Sequence, residues 1–277
     1  VDALGIFEAN VEAALQHEVD GDLDAAVRAY VEGVRTGHEV AMLYEHLLRI
    51  HLHRREIDAA WCAASMIAAV GELEGKQAEM YEDYTPRRLP ALRRALDAAE
   101  WQLLCAPCDT AISAVLAPRT AELAPKPTTV RALDPGVVAW AATAFGVGPG
   151  AEAIAAGTSL DEAASYFTLR ERRFAAGRQA ARLRAPHLVL AWATPPALER
   201  VLAEAGVPGD VRAWQASLLA TEMRAGLLVC GEPKVARHML MAETTSDDLL
   251  ADVAAFSVSP AHHRLRAVLG LAVDMGQ

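Results

Sequence analysis

Few residues in this sequence combine reactive chemistry with a usable spacing. Cys105 and Cys108 sit in CAPC. That spacing serves half a zinc site or a redox pair, but zinc needs two further ligands and no second CxxC exists. A redox pair usually opens a helix after a strand, and no strand signal precedes this one. The four cysteines, at 62, 105, 108 and 230, therefore read as reduced thiols. His38, His46, His51 and His53 crowd one stretch. His46 and His51 lie five apart, which is not the i, i+4 spacing of two ligands on one helix face. These histidines read as solvated or half-buried. His262 and His263 follow a Ser-Pro helix start, and Asp274 or His238 could join them, yet nothing in the spacing specifies a site. There is no P-loop, dinucleotide fingerprint or G-x-S-x-G. FGVGPG, from Phe145, has closely spaced glycines without a strand before them and reads as a helix-ending loop.

FAAGRQAARLR, from Phe174 to Arg184, places Arg178 and Arg182 one helical turn apart with Gln179 beside Arg178. A guanidinium is always cationic and cannot ligate a divalent metal. Gln179 cannot act as a general base. Two arginines lining a groove suit an acidic segment or a carboxylate. The competing reading pairs them with nearby carboxylates such as Glu222, closing the groove as a salt-bridged scaffold.

The elements that carry these residues are helical. Hydrophobic residues make up 53% of 277, enough for a sizeable core, and much of that is alanine. Aromatics are only 5% and β-branched runs are scarce, so the expected class is all-α. The net charge is −10 and no basic-aromatic patch stands out, which argues against nucleic acid. No apolar run reaches the length of roughly 20 residues that a membrane span needs. The longest, HLVLAWA from His187, reads as a buried helix end or a short strand. The sequence opens on Val1 with no signal-peptide pattern, and with the cysteine usage this gives a cytoplasmic expectation.

Two segments match at an offset of 34 residues: GDLDAAVRAYVEGV from Gly21 and REIDAAWCAASMIA from Arg55. Ala26 and Ala60 take the small position where two helices cross. This resembles the tetratricopeptide repeat, over about residues 7 to 72. The resemblance implies two helical hairpins, with Pro90–Leu104 as a capping helix. It also implies peptide binding along the first helices, which offer Tyr44, His46 and Arg49 among other polar residues.

A dense proline stretch, with Pro118, Pro125, Pro127 and Pro135, marks a linker. The expected domains are 1–115, a linker at 116–133, and 134–277. In the last, helix starts fall at Asp134-Pro135, a Ser159/Glu162 capping box, Thr194-Pro195, Asp210, Ser246 and Ser259-Pro260. Gly146, Gly206, Gly231 and Gly270 end helices.

Within that region AAGRQAARLRAPHL and RAGLLVCG resemble, in order, the two metal-binding helices of gluzincin peptidases of the CAAX-prenyl-protease and heat-shock-protease type. More closely, the chain is similar to bacterial proteins that join tetratricopeptide repeats to a degenerate domain of this class. The resemblance implies that Arg178, Gln179, Arg182 and Leu219 stand where the family has its two zinc histidines, its general base and its third ligand. Gly177, Arg224, Ala225, Gly226 and Leu227 retain scaffold positions. The implied protein holds no zinc there and no cofactor. The family's substrate-aligning sheet would be trimmed away between Phe145 and Leu160. It would act as a non-catalytic interaction or scaffold protein whose partner is a protein or peptide, with an acidic one suiting the two arginines. The alternative is an enzyme with an unrecognised site, using His262, His263 or Cys105.

Overall fold

In a computed structural model of the chain, residues 3–38, 40–85, 89–119, 135–147, 168–184, 193–243 and 246–273 are described. Fourteen α-helices and no strand occur among them, so the fold is all-α. Two compact units emerge: residues 1–93 with 230–277, and residues 94–229. These units do not part at the expected boundary of 116–133. The helices after residue 230 pack with the first helices of the chain, because those helices offer the apolar faces they cover.

In the first unit, α1 (Ala3–Asp20) and α2 (Leu23–Arg35) form one hairpin, and α3 (Ala41–His53) and α4 (Ile57–Val70) a second. The turn at Gly21 is left-handed, with φ +79°. Arg55 stands at the equivalent position 34 residues later and adopts the same hand at φ +59°, although it carries a side chain. Asp22 caps α2 by accepting from the Ala25 N–H at 3.0 Å. Ala26 and Ala60 are both fully buried, as close helix crossings require. Around them Tyr30, Val34, Leu43, Tyr44, Leu47 and Met66 complete one core.

Pro90–Leu104 is not a capping helix of this unit. Residues 89–97 are non-helical, and an Asp97/Glu100 capping box starts a short helix only at Ala98. The covering is done by α5 (Gly75–Tyr84) and by three later helices. These are α12 (Pro233–Glu243), α13 (Asp247–Ser257) and α14 (Pro260–Leu269). The α12 helix packs on α4, α13 on α2 and α4, and α14 on α4. Ala254, Ala255 and Val258 thereby join the hairpin core.

The second unit holds α6 (Ala98–Leu104), α7 (Thr110–Leu116), α8 (Pro135–Ala144), α9 (Leu169–Arg182), α10 (Pro195–Glu204) and most of α11 (Val211–Cys230). Ile112, Leu116, Leu198, Leu202 and Trp214 form one of its cores. Trp101 meets Phe145 edge-on and carries the Arg184 guanidinium over its face at 4.3 Å.

Thr194-Pro195, Asp210, Ser246 and Ser259-Pro260 do precede helices, and Gly206, Gly231 and Gly270 follow helices with left-handed φ. Asp134, the Ser159/Glu162 pair, HLVLAWA up to residue 192 and nearly all of the proline-rich linker lie outside the described residues.

Candidate functional site

In the second unit α9 and α11 cross with their backbones nearly touching, because Gly177 and Gly226 face the crossing. A Cβ on Gly177 would lie 2.5 Å from the Ala225 carbonyl oxygen. One on Gly226 would lie 2.9 Å from the Phe174 ring and from Arg178 Cγ. Real side chains do not approach that closely, so one at Gly177 would push the two helices apart and one at Gly226 would displace Phe174 and Arg178.

The crossing brings Arg182 of α9 to Glu222 of α11, with Nε donating to a carboxylate oxygen at 2.7 Å. Glu222 is almost wholly buried and its other oxygen has no hydrogen-bond partner among the described residues. Burial pushes its carboxyl above the usual range, against the pull of Arg182 and then Arg178. Gln179 is buried, Leu219 half-buried, and Arg178 lies beside the Phe174 ring. The four positions Arg178, Gln179, Arg182 and Leu219 thus offer two cations, an amide and an alkyl group. None of these is a ligand for a divalent metal.

Also in this unit, Cys105 and Cys108 are free thiols. Burial, and then neighbouring Cys108, push the Cys105 thiol up to about 11, so it is not an activated nucleophile. The Cys105 carbonyl accepts from Arg224 at 3.0 Å.

In the first unit, three polar side chains meet around Glu18. Tyr30 donates to Glu18 at 2.5 Å, His46 Nδ1 lies 2.7 Å from it, and Arg49 donates to its other oxygen at 2.6 Å. Burial alone would raise the Glu18 carboxyl, but these hydrogen bonds hold it below the usual range. His46 and Arg49 are therefore together at an accessible edge. Tyr44, expected beside them as a binding residue, is fully buried in the hairpin core. Its side chain is enclosed in that core, so it cannot meet a peptide.

His51 also differs from the solvated reading: it is 3% exposed. Its Nδ1 is 2.7 Å from Glu56, and its Nε2 has no hydrogen-bond partner among the described residues. Burial lowers its pKa despite Glu56. It lines a cavity of about 740 Å³ together with Arg54, Glu56, Asp58 and His263. His51 and His263 meet edge-on, with ring centroids 5.5 Å apart.

Two features of this unit were not foreseen. Arg266, fully buried, grips Asp58 through Nε at 2.9 Å and Nη2 at 2.9 Å. Its Nη1 donates to the Gly231 carbonyl and its Nη2 also to that of Leu271, each at 2.9 Å. Its guanidinium lies over Trp61. Asp58 had been legible only as a repeat match, and its partner is 208 residues away. The second feature is a cluster: one ligand-type atom each of Cys62, His262 and His263 lie within 4.8 Å of one another. The histidine pair stood out in the sequence, but nothing there tied it to Cys62.

A scan against protein-family models, a search of curated proteins and a search of solved structures each find no match.

Proposed function

We propose that this protein is a non-catalytic interaction scaffold, built of tetratricopeptide-like hairpins and a degenerate gluzincin-like domain. The observation that supports it best is the Arg182–Glu222 pair at 2.7 Å. Where the resemblance would put a zinc ligand, a guanidinium instead neutralises a buried carboxylate across a glycine-tight helix crossing. That arrangement holds two helices together and puts a cationic side chain where a zinc ligand would stand. On this reading the former catalytic groove is structural, and partner contact falls to the first hairpins. There His46 and Arg49 share Glu18, and a partner carboxylate would compete with Glu18 for the same donors. The partner class is a protein segment rich in Asp and Glu.

The test is calorimetric titration of the full chain with a Glu-rich peptide, alongside a peptidase assay with and without added zinc. The scaffold reading expects no hydrolysis, binding weakened about 10-fold by Arg49→Ala, a loss of about 1.4 kcal/mol, and binding unaltered by Arg178→Ala with Arg182→Ala. Zinc-dependent cleavage of the peptide, or binding indifferent to Arg49, would overturn it.

A further inference from the structure

We propose that Cys62, His262 and His263 form a zinc site joining the middle of α4 to the first turn of α14. It stands independently of the scaffold reading and of the positions discussed for α9 and α11.

The donors suit the ion. One sulfur and two imidazole nitrogens are ligands that zinc accepts and that calcium or magnesium do not favour. The ligand atoms lie within 4.8 Å of one another. Bonds of about 2.0–2.3 Å in a tetrahedral arrangement separate neighbouring ligands by about 3.5 Å. The donors therefore stand at most roughly 1.3 Å wider apart than a bound ion would hold them.

The hydrogen bonding points the same way. His262 is fully buried, and its Nδ1 sits 2.8 Å from the Ser257 carbonyl oxygen. A carbonyl only accepts, so Nδ1 carries the proton and Nε2 carries the lone pair. That Nε2 has no hydrogen-bond partner among the described residues, and neither has Nε2 of His263. Two buried imidazole nitrogens left without partners are costly, and an ion held through both would relieve that cost. An imidazole fixed through Nδ1 by a backbone carbonyl is the usual support of a zinc ligand.

Charge and a fourth donor are also accommodated. Arg266 stands nearby, but its charge is met by the bidentate Asp58 carboxylate. On binding, the Cys62 thiol loses its proton to water and the thiolate and two neutral imidazoles hold the ion. Of the three donors, His263 lines the cavity that it shares with His51 and Glu56, and a water on that side would serve as the fourth donor.

The experiment titrates the reduced full chain with zinc by calorimetry and with cobalt by absorption. One equivalent of zinc and a sulfur-to-cobalt charge-transfer band are expected. Cys62→Ser should abolish the band, and His263→Gln should weaken zinc at least about 10-fold. Cys105→Ser with Cys108→Ser should leave both unchanged. No binding by the wild-type chain, or a band lost only in the Cys105/Cys108 variant, overturns the proposal. If Cys62→Ser loses its helical circular dichroism, the wild-type cobalt complex decides by magnetic resonance. Paramagnetically shifted imidazole protons from two histidines, with the sulfur band, uphold the site. Cobalt bound without them refutes it.

Discussion

Each unit contains an arginine–carboxylate pair with a buried member, and the two are built differently. In the first unit Arg266 and Asp58 satisfy each other: the carboxylate is gripped through two guanidinium nitrogens and also accepts the Val273 N–H at 2.8 Å. Two more of Arg266's N–H groups reach carbonyls. In the second unit Arg182 is 30% exposed, offers Glu222 one hydrogen bond, and one oxygen of Glu222 has no partner among the described residues. A fully partnered buried charge organises the chain around it. A half-partnered one is tolerated, and it carries a cost that protonation can relieve.

The sharpest way to break this contrast is to remove each arginine. Arg266→Met strands Asp58 and two carbonyls, and should cost about 3–5 kcal/mol in urea denaturation. Arg182→Met should cost about 1–2 kcal/mol at pH 7 and less at pH 5, because acid favours the neutral form of a carboxyl that burial already raises. Equal losses at both pH values would erase the distinction.

Acid should separate the units next. Burial holds His51, His262 and His263 below the ordinary histidine value of 6.5, His263 to about 3. As pH falls from 6.5 the unfolded chain takes up protons that the folded first unit refuses. Stability should then drop, by at most about 1.4 kcal/mol per pH unit for each histidine that stays neutral in the fold. Glu222 has the opposite sign. Its raised carboxyl costs stability at neutral pH, and that cost is relieved as pH falls toward the raised value. Hydrogen exchange by peptide, corrected for intrinsic rates, should show the first unit loosening first. Uniform loosening would remove the contrast.

The smallest effect is expected at Asp24, the repeat counterpart of Asp58. It pairs with Arg54 at 2.6 Å but is 69% exposed. Asp24→Asn should therefore leave the urea midpoint of unfolding nearly unchanged. A loss comparable to that of Asp58→Asn would mean that repeat position, not burial, sets the strength.

What the sequence revealed follows from the range of each interaction. Helix punctuation is local, so the Ser-Pro, Thr-Pro and Gly signals fall where helices start and stop. The 34-residue match singled out Ala26 and Ala60, and both are fully buried. Tyr44 went wrong because a tyrosine on a polar-looking helix gives no sign of which way it faces. The capping helix went wrong because any apolar period between Pro90 and Leu104 suits a cap. The actual cover comes from α12 to α14, and only packing selects it. Cys62 with His262 and His263, and Asp58 with Arg266, join distant stretches of chain, and no local pattern encodes such a meeting.

The discontinuity of the first unit also has a consequence in time. Residues 94–229 are contiguous and can finish their contacts as soon as they are synthesised. The unit on either side of them cannot, because Asp58 waits for a guanidinium made 208 residues later. Until α12 to α14 emerge, α4 presents Trp61, Cys62 and Ile67 without those partners, and this is the stage at which a nascent chain exposes apolar surface to chaperones or to aggregation. Ribosome-stalled chains ending before residue 230 should therefore be the ones that proteases cut within residues 57–70.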